Sequence, residues 1–277
     1  DRFALTVRLD YDSDGRFLTG EIFESIIRSD VRGNYDDVWK MIESGEPVAG
    51  YEKIFDGIMA LHKLSRLLRK KRLSNGSLNF VTMETKVELD SEGHPIDIYP
   101  EPSTEANELI EEFMIQANVF VAKRFDYMEA PFIYRVHEKP DPDKIARFFT
   151  VAKRIGADVR TPHELTPKSL ATVLDEIRDH QYSAVLSQLL LQAQAKARYD
   201  EMCLGHFGLA IHYYCHFTSP IRRYPDLFIH RVIKGYLHGR PKIKRWNSLA
   251  PERAEHSSIM ERVAMQAERD TVDQKIA

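Results

Sequence analysis

Apolar and polar residues alternate from the start of the chain. Phe3, Leu5, Val7 and Leu9 fall on one side of an extended segment and Ala4, Thr6 and Arg8 on the other, the period of two of a half-buried strand. Asp14-Gly15 is a hairpin turn signal, so residues 17–27 are expected to return antiparallel. The period then lengthens. A helix rich in aromatic and acidic residues is expected over 35–43, and another over 51–72, where Ile54, Ile58, Leu61, Leu64 and Leu68 recur three or four residues apart. Arg69 to Arg72 place four cations at the end the helix dipole favours, and Asn75-Gly76 breaks the pattern. A second hairpin follows over 78–89 and 95–99, turning at Glu92-Gly93. Helices are expected over 106–125, 142–155, 167–178 and 183–199. Two more cover 226–237, with Pro225 at the helix start, and about 251 to the end. Two hairpins followed by many helices predict an α+β fold, with helices packed over a curved antiparallel or mixed sheet.

With 277 residues, 43% of them hydrophobic, the chain can bury a sizeable core, and 29% charged residues are ordinary for a globular protein. No apolar run approaches the roughly 18 residues of a membrane helix, so no membrane span is expected. Residues 1–5 have the character of a strand interior and not of a leader peptide, which suggests a chain that starts inside a longer protein. Two cysteines, Cys203 and Cys215, cannot supply a disulfide framework; reduced thiols and a cytoplasmic location are expected. The net charge of −3 carries no chain-wide basic signature, so a nucleic-acid site must be local. Residues 222–246 are the candidate, with eight cations against the single acid Asp226. On charge alone, a solvated basic helix explains that run equally well.

The chemistry concentrates at 206–210, HFGLA, and 216–227, HFTSPIRRYPDL. Thr218 and Ser219 offer hydroxyls, Arg222 and Arg223 offer planar charged forks suited to phosphate oxygens, and Pro220 and Pro225 stiffen both flanks. Elsewhere, Asp10, Asp12, Asp14, Gly15 and Glu21 match a calcium-loop pattern, but strands flank them where an EF-hand needs helices, so a charged hairpin turn is the better reading. His212 and His216 lack the glutamate of a zinc-protease helix, and Cys203 with His206 adds no zinc spacing.

The two motifs together resemble the signature of the RNB catalytic domain of the ribonuclease II and ribonuclease R family, on the ribonuclease R side. The resemblance extends to SLNF at 77–80 with Glu84, LIEEFMIQANVFVAK at 109–123, PFIYRVHEKPDPDK at 131–144 and AERD at 267–270. It implies hydrolysis of single-stranded RNA from the 3′ end to nucleoside 5′-monophosphates. At matching positions it implies that Arg222 holds the scissile phosphate and that Glu268 assists at the closed end of the RNA channel. It also implies that Phe80 stacks on the last base and that Glu111 meets the terminal ribose. Asn118, His206, Thr218, Ser219, Arg223 and Tyr224 are further RNA-binding candidates. Asn79 departs from the acid usual before the aromatic. The family's metal-binding aspartates, cold-shock-like domains and S1 domain are expected to lie outside this chain. Residues 1–277 then form the C-terminal portion of one catalytic domain, a monomer whose Mg2+ ligands lie elsewhere and which is expected to be inactive alone. A non-catalytic RNA-binding or interaction module is the alternative. Helical geometry offers some support for Glu111: Glu112, Gln116 and Lys123 form the expected wet stripe of their helix, whereas Glu111 and Asn118 fall in a polar notch between apolar borders.

Overall fold

The structure is a computed structural model, and it describes residues 1–80, 84–92, 94–101 and 103–276. Strand β1 (Arg2–Tyr11) pairs antiparallel with β2 (Phe17–Ile27), in register from Arg2 opposite Ile27 to Leu9 opposite Gly20. The acidic run is a hairpin turn: Asp12 Oδ1 accepts from the N–H groups of Asp14 and Arg16 at 3.0 and 2.7 Å. Leu5, Val7 and Ile22 meet the core, whereas Phe3 is exposed. At Gly20 a Cβ would stand 2.6 Å from the Phe120 ring, so only glycine lets the hairpin lie this close.

A three-helix layer follows. Helix α1 (Tyr35–Ser44) is capped by Asn34, α2 spans Phe55–Ser74, and α3 (Glu105–Tyr127) crosses both. Between α2 and α3, β3 (Glu84–Leu89) pairs with β4 (Pro95–Glu101). Of the hairpin expected here, residues 81–83 and Gly93 lie outside the described residues, as does the side chain of Glu84.

The second half builds two cores. Helices α4 (Pro142–Arg154), α5 (Pro167–Ile177) and α6 (Ser183–Ala193) bury Phe148, Leu170, Ile177, Leu186 and Leu190 together. The larger core joins the end of α3 with β5 (Tyr134–Val136), β6 (Arg198–Asp200), α7 (Tyr224–Leu237) and the start of α8 (Ile243–Ile276).

Three expectations need correction. Helix α6 ends at Ala193 and not near 199, because Gln194 turns extended and residues 198–200 pair with β5. There Tyr199 is buried and its N–H bonds to Ser258 Oγ, so tertiary pairing overrides helix propensity. Helix α8 begins at Ile243, with Pro251 inside it. Burial of Trp246, Ala250 and Ala254 favours this turn over the break that proline encourages. Finally, the α+β class holds, but the described strands form three separate two-stranded antiparallel ladders in place of one curved sheet. Helices separate the three pairs in sequence.

Candidate active site

Residues 216–223 form the loop that leads into α7. Asp226, in the first turn of that helix, is fully buried. Its Oδ1 accepts from the Ser219 N–H at 2.8 Å, and Arg223 grips both carboxylate oxygens at 2.9 and 2.8 Å. Charge-assisted bidentate pairing of this kind fixes geometry as well as adding energy. The loop is tied from below as well, since His230 Nε2 bonds to the Phe217 carbonyl at 2.8 Å. At the tip, Ile221 is 98% exposed, Arg222 is exposed, and the Arg222 guanidinium has no ion pair among the described residues. The loop therefore presents Arg222 outward and holds the next residue, Arg223, inward.

Helix α3 carries a similar pair. Glu112 is 1% exposed and accepts from Arg72 Nε at 3.0 Å and Gln116 Nε2 at 2.9 Å, whereas the Glu111 side chain is half exposed. The expected wet stripe is thus corrected: a buried guanidinium from α2 draws Glu112 inward and leaves Glu111 at the surface. Seven residues along the helix, about 10 Å at its rise per residue, Asn118 is buried. Its Oδ1 accepts from the Phe217 N–H at 2.9 Å, its Nδ2 donates to the Tyr214 hydroxyl at 3.3 Å, and its carbonyl accepts from Cys215 Sγ at 3.3 Å. Asn118, expected on RNA, is buried with its side chain bonded inside the protein, where it fastens the arginine loop to the helix that bears Glu111.

Phe80 is part-buried at the rim of a groove of about 740 Å³ that Asn79, Ser183, Gln188 and Leu191 also line. Leu78 N–H donates to the Gly208 carbonyl at 2.8 Å, which sets the segment beside the HFGLA turn. His206, expected to bind RNA, packs 5.0 Å from His137 and 5.2 Å from Tyr214, and its Nδ1 accepts from Leu209 N–H. Burial and neighbouring cationic groups push it down to about 3, and His216 to about 2, so both rings are neutral at pH 7 and supply no charge for phosphate.

Thr218 and Ser219 are part-buried on the loop and Tyr224 is 43% exposed at the start of α7. Arg223, also expected on RNA, is occupied by Asp226. Glu268 is exposed on α8, and no hydrogen bond or ion pair ties it to the other candidates among the described residues. Contacts thus join Glu111, Asn118 and the Arg222 loop into one body, with Phe80 linked through Ser77 and Arg72. Sequence reasoning missed Arg72, Glu112 and Asp226. For Asp226, the three-residue spacing from Arg223 was a usable signal. No group of three or more His, Cys, Asp or Glu that could hold a metal is gathered among the described residues, which therefore do not fit a metal centre by themselves. No described helix is long and apolar enough to cross a membrane.

Comparison with known proteins gives the family and the fold. A sequence model of the RNB domain matches residues 1–239. Ribonuclease R of Thermotoga maritima is 38% identical over 281 residues, covering 99% of this chain and 40% of that protein. Ribonuclease R of Aquifex aeolicus is 36% identical over 277 residues, covering 99% of this chain and 39% of that protein. The solved ribonuclease R of Mycoplasma genitalium, in complex with ribose-methylated single-stranded RNA, superposes with a TM-score of 0.94 at 26% identity, over 99% of this chain and 44% of that one. The chain spans about two fifths of the length of these relatives. With its arginine loop, its α3 glutamates and a match over most of its length, the chain belongs to the RNB domain family.

Proposed function

We propose that this chain is part of the catalytic domain of a hydrolytic 3′-to-5′ exoribonuclease that degrades single-stranded RNA to nucleoside 5′-monophosphates. The observation that carries the reading is the exposed guanidinium of Arg222, without an ion pair among the described residues, on a loop that the Asp226–Arg223 pair braces. A fixed cation stabilises the charge that develops on a phosphate during attack without having to reorganise. Phe80 stacks on the terminal base at its groove, a grip that tolerates any sequence. Glu111 accepts a hydrogen bond from the terminal ribose, and Glu268 assists at the channel end. The names of the relatives, and the RNA bound to one of them, support the substrate class. The intact enzyme uses Mg2+ whose ligands come from outside this chain, and it works as a cytoplasmic monomer; residues 1–277 act on the RNA and are inactive alone.

The test uses the full-length protein that carries this chain, with Mg2+ and single-stranded RNA labelled at either end. Label at the 3′ terminus should leave as nucleoside 5′-monophosphate in the first turnover, while 5′ label stays in a steadily shortening chain. Internal fragments would refute the reading, and binding without cleavage would mark a non-catalytic RNA-binding module instead.

A further inference from the structure

Arg72 sits at the end of α2 with its side chain only 8% exposed, and it reaches three partners at once. Its Nε donates to Glu112 Oε2 at 3.0 Å, and its Nη1 donates to Ser77 Oγ at 2.8 Å. Its Nη2 lies 3.0 Å from Glu112 Oε2 and 3.9 Å from Glu111 Oε1, within ion-pair distance of both carboxylates. The backbone closes the same knot, because the Ser77 N–H donates to the Arg72 carbonyl at 3.2 Å. Glu112 is held in turn by Gln116, which accepts from the Tyr11 hydroxyl at 3.1 Å.

We propose that Arg72 and Glu112 are positioning residues whose buried ion pair fixes Phe80 and Glu111 relative to each other at the RNA end. The inference rests on the exoribonuclease reading and deepens it. Ser77 stands three residues before Phe80, and Leu78 is already tied to Gly208, so the Arg72 fork and that bond together leave the Phe80 segment little freedom. Gly76, at φ +100°, seats the same turn against Lys168 of α5, where a Cβ would stand 2.6 Å from that residue's Cα. On α3, the fork draws Glu112 inward and leaves its neighbour Glu111 half exposed, with the Arg72 guanidinium 3.9 Å away. Stability alone is a weak reason for such a pair, because apolar residues of similar volume often replace a buried ion pair without loss. Geometry is the stronger reason, because a misplacement of about 1 Å at a reacting centre can cost a hundredfold in rate.

The full-length protein provides the test. The double substitution Arg72→Met/Glu112→Leu removes both charges and keeps the volume. It should hold the thermal midpoint within a few degrees and long-RNA affinity within about twofold, yet slow single-turnover release of the 3′-terminal nucleotide about tenfold or more. Ser77→Ala spares the ion pair and cuts only the hook to the Phe80 segment; it should slow the same step by a smaller factor at unchanged stability. If the double variant fails to fold, Arg72→Lys decides together with Ser77→Ala, since lysine keeps the charge opposite Glu112 but cannot fork to Ser77. Folded variants that release nucleotide at the wild-type rate overturn the positioning role and leave the exoribonuclease reading standing. A wild-type protein that releases no mononucleotide overturns both.

Discussion

The arginine loop and helix α3 solve one problem with opposite reach. Each carries two identical charged residues in succession, Arg222-Arg223 and Glu111-Glu112, and in each the second is turned inward to a buried partner while the first faces solvent. In the loop the partner is Asp226, three residues away within one turn. In α3 it is Arg72, forty residues upstream on another helix. A local pair stiffens its own loop, whereas a distant pair couples two helices and the segment leading to Phe80. Loss of the first should therefore damage one loop, and loss of the second should shift several groups by small amounts.

The largest effect expected is on stability, at the buried end of the loop. Asp226→Ala strands the Arg223 guanidinium and the Ser219 N–H in a site where the lost carboxylate was fully buried. Breaking one side of such a pair costs about 3–5 kcal/mol, readable as a lower urea midpoint. An unchanged midpoint would mean that water replaces the carboxylate and that the loop is not held as described. Arg222→Ala should do the reverse, leaving the midpoint in place while cleavage by the full-length protein falls about 100- to 1000-fold, as for other groups that act on developing charge. RNA affinity should change far less, because the contact matters most in the transition state. Equal losses of binding and turnover would reduce Arg222 to a general electrostatic role.

Asn118 joins the two regions, and its removal should cost less. Asn118→Ala leaves the Phe217 N–H and the Tyr214 hydroxyl without their partner in the core, at about 1–3 kcal/mol. Because this side chain ties the loop to α3, nucleotide release should slow as well, with long-RNA binding kept. Stability loss without any kinetic change would show that the loop holds its position through Asp226 alone.

Much of this fold can be read from periodicity. The return strand over 17–27 and the helices expected over 142–155 and 167–178 lie within a residue of those bounds. Periodicity failed where a distant contact decides. Residues 198–200 are a strand because β5 and Ser258 are there to pair with them, and α8 runs through Pro251 because Trp246 and Ala250 are buried against the core. At the site, the motif residues were legible as a group, through family resemblance, but their division of labour was not. A helical wheel assigns Glu112 to water, since nothing near it in sequence reveals Arg72. His206 looks like a phosphate-binding candidate until burial strips it of charge.

The smallest effect expected gives the sharpest control on the buried pair, because it lies between the same two helices. Arg66 of α2 meets Glu105 of α3 at 2.7 Å, just as Arg72 meets Glu112, but the Arg66 side chain is 64% exposed. Water and salt screen this pair, and His62 also bonds Glu105 at 2.6 Å, so the carboxylate keeps a partner when the arginine goes. Arg66→Ala should therefore cost less than about 1 kcal/mol in urea unfolding, fading further at high salt, with no change in nucleotide release. If it slowed release as much as Ser77→Ala does, contact between α2 and α3 in general would matter, and the fork at Arg72 would lose its special place.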